Sequence, residues 1–148
     1  MSDGPKVLII DDDRDIVRGL AVHLRAAGCE VLTARDGALG LEIAIDALPD
    51  IILLDVSMPG LDGIEVLTAL RSRDATRDIP AIVLSANVVE QTRARAAAAG
   101  ARRFLEKPFR FEKLMSTIQS ECAGGAGPMP RVAAPAHAEL RAQPPSAC

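Results

Sequence analysis

Apolar residues in this chain fall into short runs, each followed by a stretch in which they recur every three or four positions. Val7-Leu8-Ile9-Ile10 is the first run and reads as a buried strand. Ile16, Leu20 and Leu24 then repeat at helical spacing and stop at Gly28. Glu30 to Ala34 reads as a second strand. Asp36-Gly37 opens a second helix carrying Leu41, Ala44, Ile45 and Leu48, ended by Pro49-Asp50. Ile51-Ile52-Leu53-Leu54 is the most apolar run and leads straight into Asp55. A Pro59-Gly60 loop and an Asp62-Gly63 turn precede a helix carrying Ile64, Leu67 and Leu70. Ala81-Ile82-Val83-Leu84 is a fourth strand ending at Ser85. An Ala/Arg-rich helix follows, running to the region of Ala99 and closed by Gly100. Arg103-Phe104-Leu105 is a short fifth strand. After Lys107-Pro108 a last helix carries Phe111, Leu114, Met115 and Ile118.

Strands alternating with helices predict an α/β fold whose parallel sheet is covered on both faces. The length suits an open five-stranded sheet and is too short for an eightfold barrel. The expected fold is a flavodoxin-like (βα)5 doubly wound sandwich with strand order 2-1-3-4-5. The alternation breaks near Ala123, where Ala-Gly-Gly-Ala-Gly-Pro-Met-Pro and then an Ala/Pro-rich stretch begin. This divides the chain into a folded domain at 1–122 and a flexible Ala/Pro/Gly-rich tail at 123–148.

Composition narrows the function classes. With three Phe and neither Trp nor Tyr, the core must be aliphatic, and base stacking has no material. A net charge of −3 without a long basic run lacks the electrostatic footprint of a nucleic-acid binder. Arg71-Ser72-Arg73 and the stretch from Arg93 to Arg103 read as solvated helix faces. Cys29, Cys122 and Cys148 are widely separated, with no metal-ligand spacing. Their odd number fits a reducing cytoplasm better than a disulfide framework. No apolar run approaches membrane length, and the early Asp3 stands where a secretory signal would carry basic residues. A cytoplasmic protein that contacts neither membrane nor nucleic acid is expected.

In open α/β sheets the chemistry lies beyond the carboxyl ends of the strands, at the switch point in strand order. Asp11, Asp12 and Asp13 follow the first strand, Asp55 the third, Ser85 the fourth and Lys107 the fifth. In a 2-1-3-4-5 sheet the first and third strands are neighbours, so Asp11, Asp12 and Asp55 converge. Clustered carboxylates repel unless a cation sits among them, and oxygen ligands of this kind suit Mg²⁺. A metal and an ammonium to neutralise phosphoryl oxygens, a hydroxyl donor and a carboxylate nucleophile are the parts that phosphoryl transfer needs.

Four blocks carry a family resemblance: Val7-Leu8-Ile9-Ile10-Asp11-Asp12-Asp13, Leu53-Leu54-Asp55-Val56-Ser57-Met58-Pro59-Gly60-Leu61-Asp62-Gly63, Ile82-Val83-Leu84-Ser85-Ala86 and Lys107-Pro108-Phe109. In this order, each at the end of a strand, they resemble the response-regulator receiver domains of two-component signalling. The resemblance covers residues 5–122. It implies that Asp55 is the phosphoryl acceptor, that Asp12 ligates Mg²⁺ directly and that Asp11 orients a metal-bound water. It implies that the Ser57 backbone carbonyl completes the metal site beside Asp55. Ser85 and Lys107 would contact the phosphoryl group, and a cis bond would precede Pro108. Ser85 and Phe104 match the switch pair, although the family often has Tyr where Phe104 stands. Asn87 and Ser57 occupy positions that tune dephosphorylation.

These residues also admit plainer readings. Asp12 or Asp13 can cap the first helix, Ser85 can cap the fourth, and Phe104 can be simple packing. His23 and His137 read as surface residues. The expected function is a stand-alone signalling switch, catalysing only its own phosphorylation and dephosphorylation. The donor is a histidine kinase or histidine phosphotransfer protein, and an unknown downstream protein reads the fourth helix, fifth strand and fifth helix, near Val88, Val89 and Arg93. The alternatives are a small Mg²⁺-dependent phosphohydrolase with an aspartyl nucleophile, a degenerate receiver acting only as a binding module, and a flavodoxin-like cofactor binder. The phosphohydrolase lacks an acid two residues after Asp55; the cofactor binder lacks stacking aromatics and a Gly-rich phosphate loop.

Overall fold

Each apolar run forms a strand, and each periodic stretch wraps the sheet as a helix. The computed structural model describes residues 4–56, 63–86 and 90–123. The elements are β1 (Lys6–Ile10), α1 (Arg14–Ala26), β2 (Glu30–Ala34), α2 (Gly37–Ala47), β3 (Ile51–Asp55), α3 (Gly63–Arg71), β4 (Ala81–Ser85), α4 (Glu90–Ala98), β5 (Arg103–Glu106) and α5 (Phe111–Ala123). The strands pair in parallel in the order β2-β1-β3-β4-β5, the order expected from the sequence.

The continuous apolar character of β1, β3 and β4 has a direct cause: alternate side chains enter two different cores. Val7, Ile9, Ile51, Leu53, Ile82 and Leu84 pack with Leu20 and Leu24 of α1 and Leu114 and Ile118 of α5. Leu8, Ile10, Ile52, Leu54 and Val83 pack with Ala44 of α2, Val66, Leu67 and Leu70 of α3, and Ala96 of α4. α1 begins at Asp13, whose carboxylate accepts from the Asp15 and Ile16 amides. Gly28 and Gly100 follow α1 and α4 at φ of +93° and +107°, a conformation that glycine adopts without a Cβ clash.

α2 departs from the expected pattern. Its buried residues are Gly37, Gly40 and Ala44, while Leu41 and Ile45 are only half-buried. Gly40 explains this, because a Cβ there would lie 2.5 Å from Ile10 Cδ1, so the helix backbone rests directly on β1. Leu48 lies outside the helix as its cap residue, at φ of 47°, with its side chain exposed. Among the described residues no helix is long and apolar enough to cross a membrane.

Candidate functional site

Parallel strands deliver their carboxyl ends to one edge of the sheet, and the polar residues gather there. Asp11 directly follows β1, where its amide donates to the Ala34 carbonyl at 3.1 Å. Asp55 is the last residue of β3 and Ser85 the last of β4, and all three are buried. Lys107 follows β5; its amide donates to the Ser85 carbonyl at 2.8 Å, tying the ends of β4 and β5 together. The Lys107-Pro108 bond is cis.

The side chains converge. Carboxylate oxygens of Asp11, Asp12 and Asp55 lie within 4.8 Å of one another; Asp12 is exposed, so the cluster opens to solvent on one side. Lys107 reaches across the ends of β4 and β3, placing Nζ 3.1 Å from Asp11 Oδ2 and 3.7 Å from Asp55 Oδ2. The Asp13 amide donates to Asp11 Oδ1 at 2.9 Å. The Asp13 carboxylate caps α1 by accepting from the Asp15 and Ile16 amides, which settles the choice between Asp12 and Asp13 and leaves Asp12 facing the opening. Burial raises the Asp11 carboxyl above its usual range, and the Asp55 charge adds to this; the Asp13 amide and Lys107 oppose both without cancelling them.

A raised acid in the folded state has a definite sign in stability. Its contribution is complete below the unfolded value of 3.8 and is lost as pH rises through the folded value. Asp11→Asn should therefore stabilise the metal-free protein at neutral pH, read as a rise in Tm. Melting in a chelator from acid to neutral pH checks this: the advantage of the variant should widen as pH rises. A variant less stable than wild type at neutral pH would show that the Lys107 pairing outweighs burial.

Phe104 is buried in the α2–α3–α4 core. The Arg93 guanidinium lies over its ring, 4.6 Å from the centroid. The reading from sequence placed Arg93 on this face but did not anticipate the contact. It also missed Gly63, whose missing side chain lets α3 start against the Asp55 carbonyl; a Cβ would lie 2.8 Å from that oxygen. Ser57, Asn87, Val88 and Val89 lie outside the described residues, as do residues 124–148. Burial raises both described thiols, Cys122 to about 11, so neither offers a thiolate nucleophile at neutral pH.

An open parallel sheet with carboxylates and an ammonium at its switch point defines a flavodoxin-like module built for charged-group chemistry. The model of the response regulator receiver domain matches residues 7–119. Transcriptional regulatory protein PrrA of Mycobacterium tuberculosis is 44% identical over 116 residues, which is 78% of this chain and 49% of PrrA. This chain thus spans about half the length of that relative. Protein PilG of Pseudomonas aeruginosa is 36% identical over 119 residues, 80% of this chain and 88% of PilG. The receiver domain of sensor histidine kinase PA1611 of P. aeruginosa, solved with a magnesium ion coordinated in its active site cleft, has a TM-score of 0.73 at 29% identity, covering 78% of this chain and 95% of its own. The chain belongs to the response regulator receiver domain family, modules of phosphorylation-activated two-component signalling.

Proposed function

We propose that Asp55 accepts a phosphoryl group from a histidine kinase or histidine phosphotransfer protein, with Mg²⁺ held by Asp11, Asp12, Asp55 and the Ser57 carbonyl. The observation that carries this reading is one ammonium shared by two buried carboxylates, beside a third carboxylate open to solvent. The donor set fits the ion: hard oxygens, close together, with an open side left for water and phosphate. The magnesium ion in the PA1611 receiver supports the same assignment. When bound, Mg²⁺ supplies positive charge to the phosphoryl oxygens.

The chain's own residues do the rest. A carboxylate oxygen of Asp55 attacks phosphorus, an O–P bond forms, and the P–N bond of the donor phosphohistidine breaks, leaving its electron pair on the imidazole nitrogen. Lys107 releases part of its hold on Asp55 and neutralises the equatorial oxygens. Ser85 donates its hydroxyl to the phosphoryl group. Its movement opens space beside β4, into which Phe104 turns, leaving the Arg93 guanidinium without its ring. The α4–β5–α5 face then differs in shape and charge, and a downstream protein distinguishes the two populations. This reading treats residues 1–122 as the receiver unit and 123–148 as a separate Ala/Pro/Gly-rich tail, a division supported by composition. It places the protein in the cytoplasm, where thiols such as Cys29 and Cys122 stay reduced.

Intact mass after incubation with acetyl phosphate and Mg²⁺, beside an Asp55→Asn control, tests the reading. One phosphoryl adduct is expected in the wild type, absent in the control and in a chelator. An adduct that persists in the control would move the acceptor elsewhere. No wild-type adduct, under conditions that modify another receiver, would make the chain a binding module only.

A further inference from the structure

Residues sort by side along α1. Leu20 and Leu24 pack into the sheet, and His23 turns toward α5, its ring 4.9 Å from that of Phe111. The other flank carries Arg14, Arg18, Val22 and Arg25, at the i, i+4, i+8 and i+11 positions of one helical stripe. Arg35, just after β2, and Leu39 of α2 face this stripe across a groove of about 420 Å³ that runs to Asp11. All four arginines are exposed, and among the described residues none of them forms an ion pair. Val22 is 58% exposed, a large apolar side chain left in water between cations.

We infer that this groove is a docking surface for an acidic amphipathic helix of a partner protein. Charge complementarity selects the occupant. Four guanidinium groups with no ion-pair partner among the described residues line one groove of a chain whose net charge is −3, and each presents a planar fork that matches a carboxylate in two hydrogen bonds. Carboxylates one turn apart on the incoming helix meet arginines one turn apart on α1, while its apolar stripe covers Val22 and Leu39. The apolar floor and the absence of an aromatic residue from the lining disfavour a nucleic-acid strand. The chain's own residues 124–148 carry one acidic side chain, Glu139, against Arg131 and Arg141, so they do not supply the charge. The surface lies on the α2 side of α1, away from α5 and the α4–β5–α5 face.

The probe is a labelled helical peptide of about 15 residues, roughly four turns, with Glu along one side of a Leu stripe. Its binding to the full chain is followed by fluorescence anisotropy and by NMR shifts of the ¹⁵N-labelled protein. Shifts should concentrate on α1, the end of β2 and the start of α2. The double variant Arg18→Glu/Arg25→Glu and a Gln-for-Glu peptide should each weaken binding by at least about tenfold, and added salt should weaken it further. Val22→Asp should weaken it as well. Acetyl phosphate should still modify Asp55 in the charge-reversed variant, which shows that the variant is folded and keeps failure here separate from failure of the acceptor assignment. Equal affinity in the charge-reversed variant, shifts confined to another face, or no binding of the acidic peptide would overturn the proposal. Tighter binding of a single-stranded oligonucleotide, insensitive to Val22→Asp, would overturn it in favour of nucleic acid.

Discussion

Lys107→Gln should slow phosphoryl-adduct formation at Asp55 by roughly a hundred- to a thousandfold, and at the same time tighten Mg²⁺ binding. The two effects have one source. The ammonium sits 3.1 Å from Asp11 and 3.7 Å from Asp55, so in the metal-free protein it competes with a metal for the same oxygens. Without it, three neighbouring carboxylates face one another with less compensating charge, and a divalent cation gains about tenfold in affinity. Phosphoryl transfer loses the group that would neutralise the equatorial oxygens, and a neutral amide does not replace it. Adduct formation by intact mass against time gives the rate, and calorimetric titration gives the affinity. Magnesium at roughly 100 times Kd should also raise the stability of the variant by about 2.7 kcal/mol, a further check by melting. A variant with weaker metal binding would show that Lys107 organises the carboxylates rather than competing for them; an unchanged rate would remove it from the chemistry.

Gly63→Ala should destabilise the protein by about 2 kcal/mol and reduce adduct formation at Asp55. An added methyl would stand 2.6 Å from Val56 Cα and 2.8 Å from the Asp55 carbonyl oxygen. Both neighbours are main chain, so relief requires moving either the start of α3 or the end of β3, and the latter carries the candidate acceptor. Gly19→Ala is the control, since a methyl at that α1 position meets nothing within 4 Å. It should stabilise by about 0.5–1 kcal/mol through helix propensity and backbone entropy alone. Urea midpoints of the two variants give the comparison. Equal midpoints would mean that the α3 entrance yields without strain.

Much of this molecule was legible in its sequence because β1, β3 and β4 are short runs apolar at consecutive positions, bounded by turn residues, as a strand buried on both faces requires. Once their order was inferred, the strand ends located Asp11, Asp55, Ser85 and Lys107, since parallel strands share a direction. α2 was legible only in part, for a reason of packing. Leu41 and Ala44 do pack against the core, yet Gly40 lets the backbone itself meet Ile10, and Leu48 falls beyond the helix. No local pattern announces a contact made by an absent side chain. The same holds for Gly63 beneath Asp55. Arg93 over Phe104 joins residues on separate elements, and the division of Lys107 between two carboxylates depends on where a long flexible stem comes to rest.

The sheet that separates the two cores also separates their histories. Leu20, Leu24, Leu114 and Ile118 form a half-core that shares no side chain with the half containing Val66, Leu70, Ala96 and Phe104. Substitutions more than about 7–10 Å apart, with no common neighbours, add their effects almost independently. A lineage can therefore rework the layer under α1 and α5 without disturbing the bed in which Phe104 lies. The five strands act as a partition, across which one half of the domain can drift in sequence while the other keeps its fit.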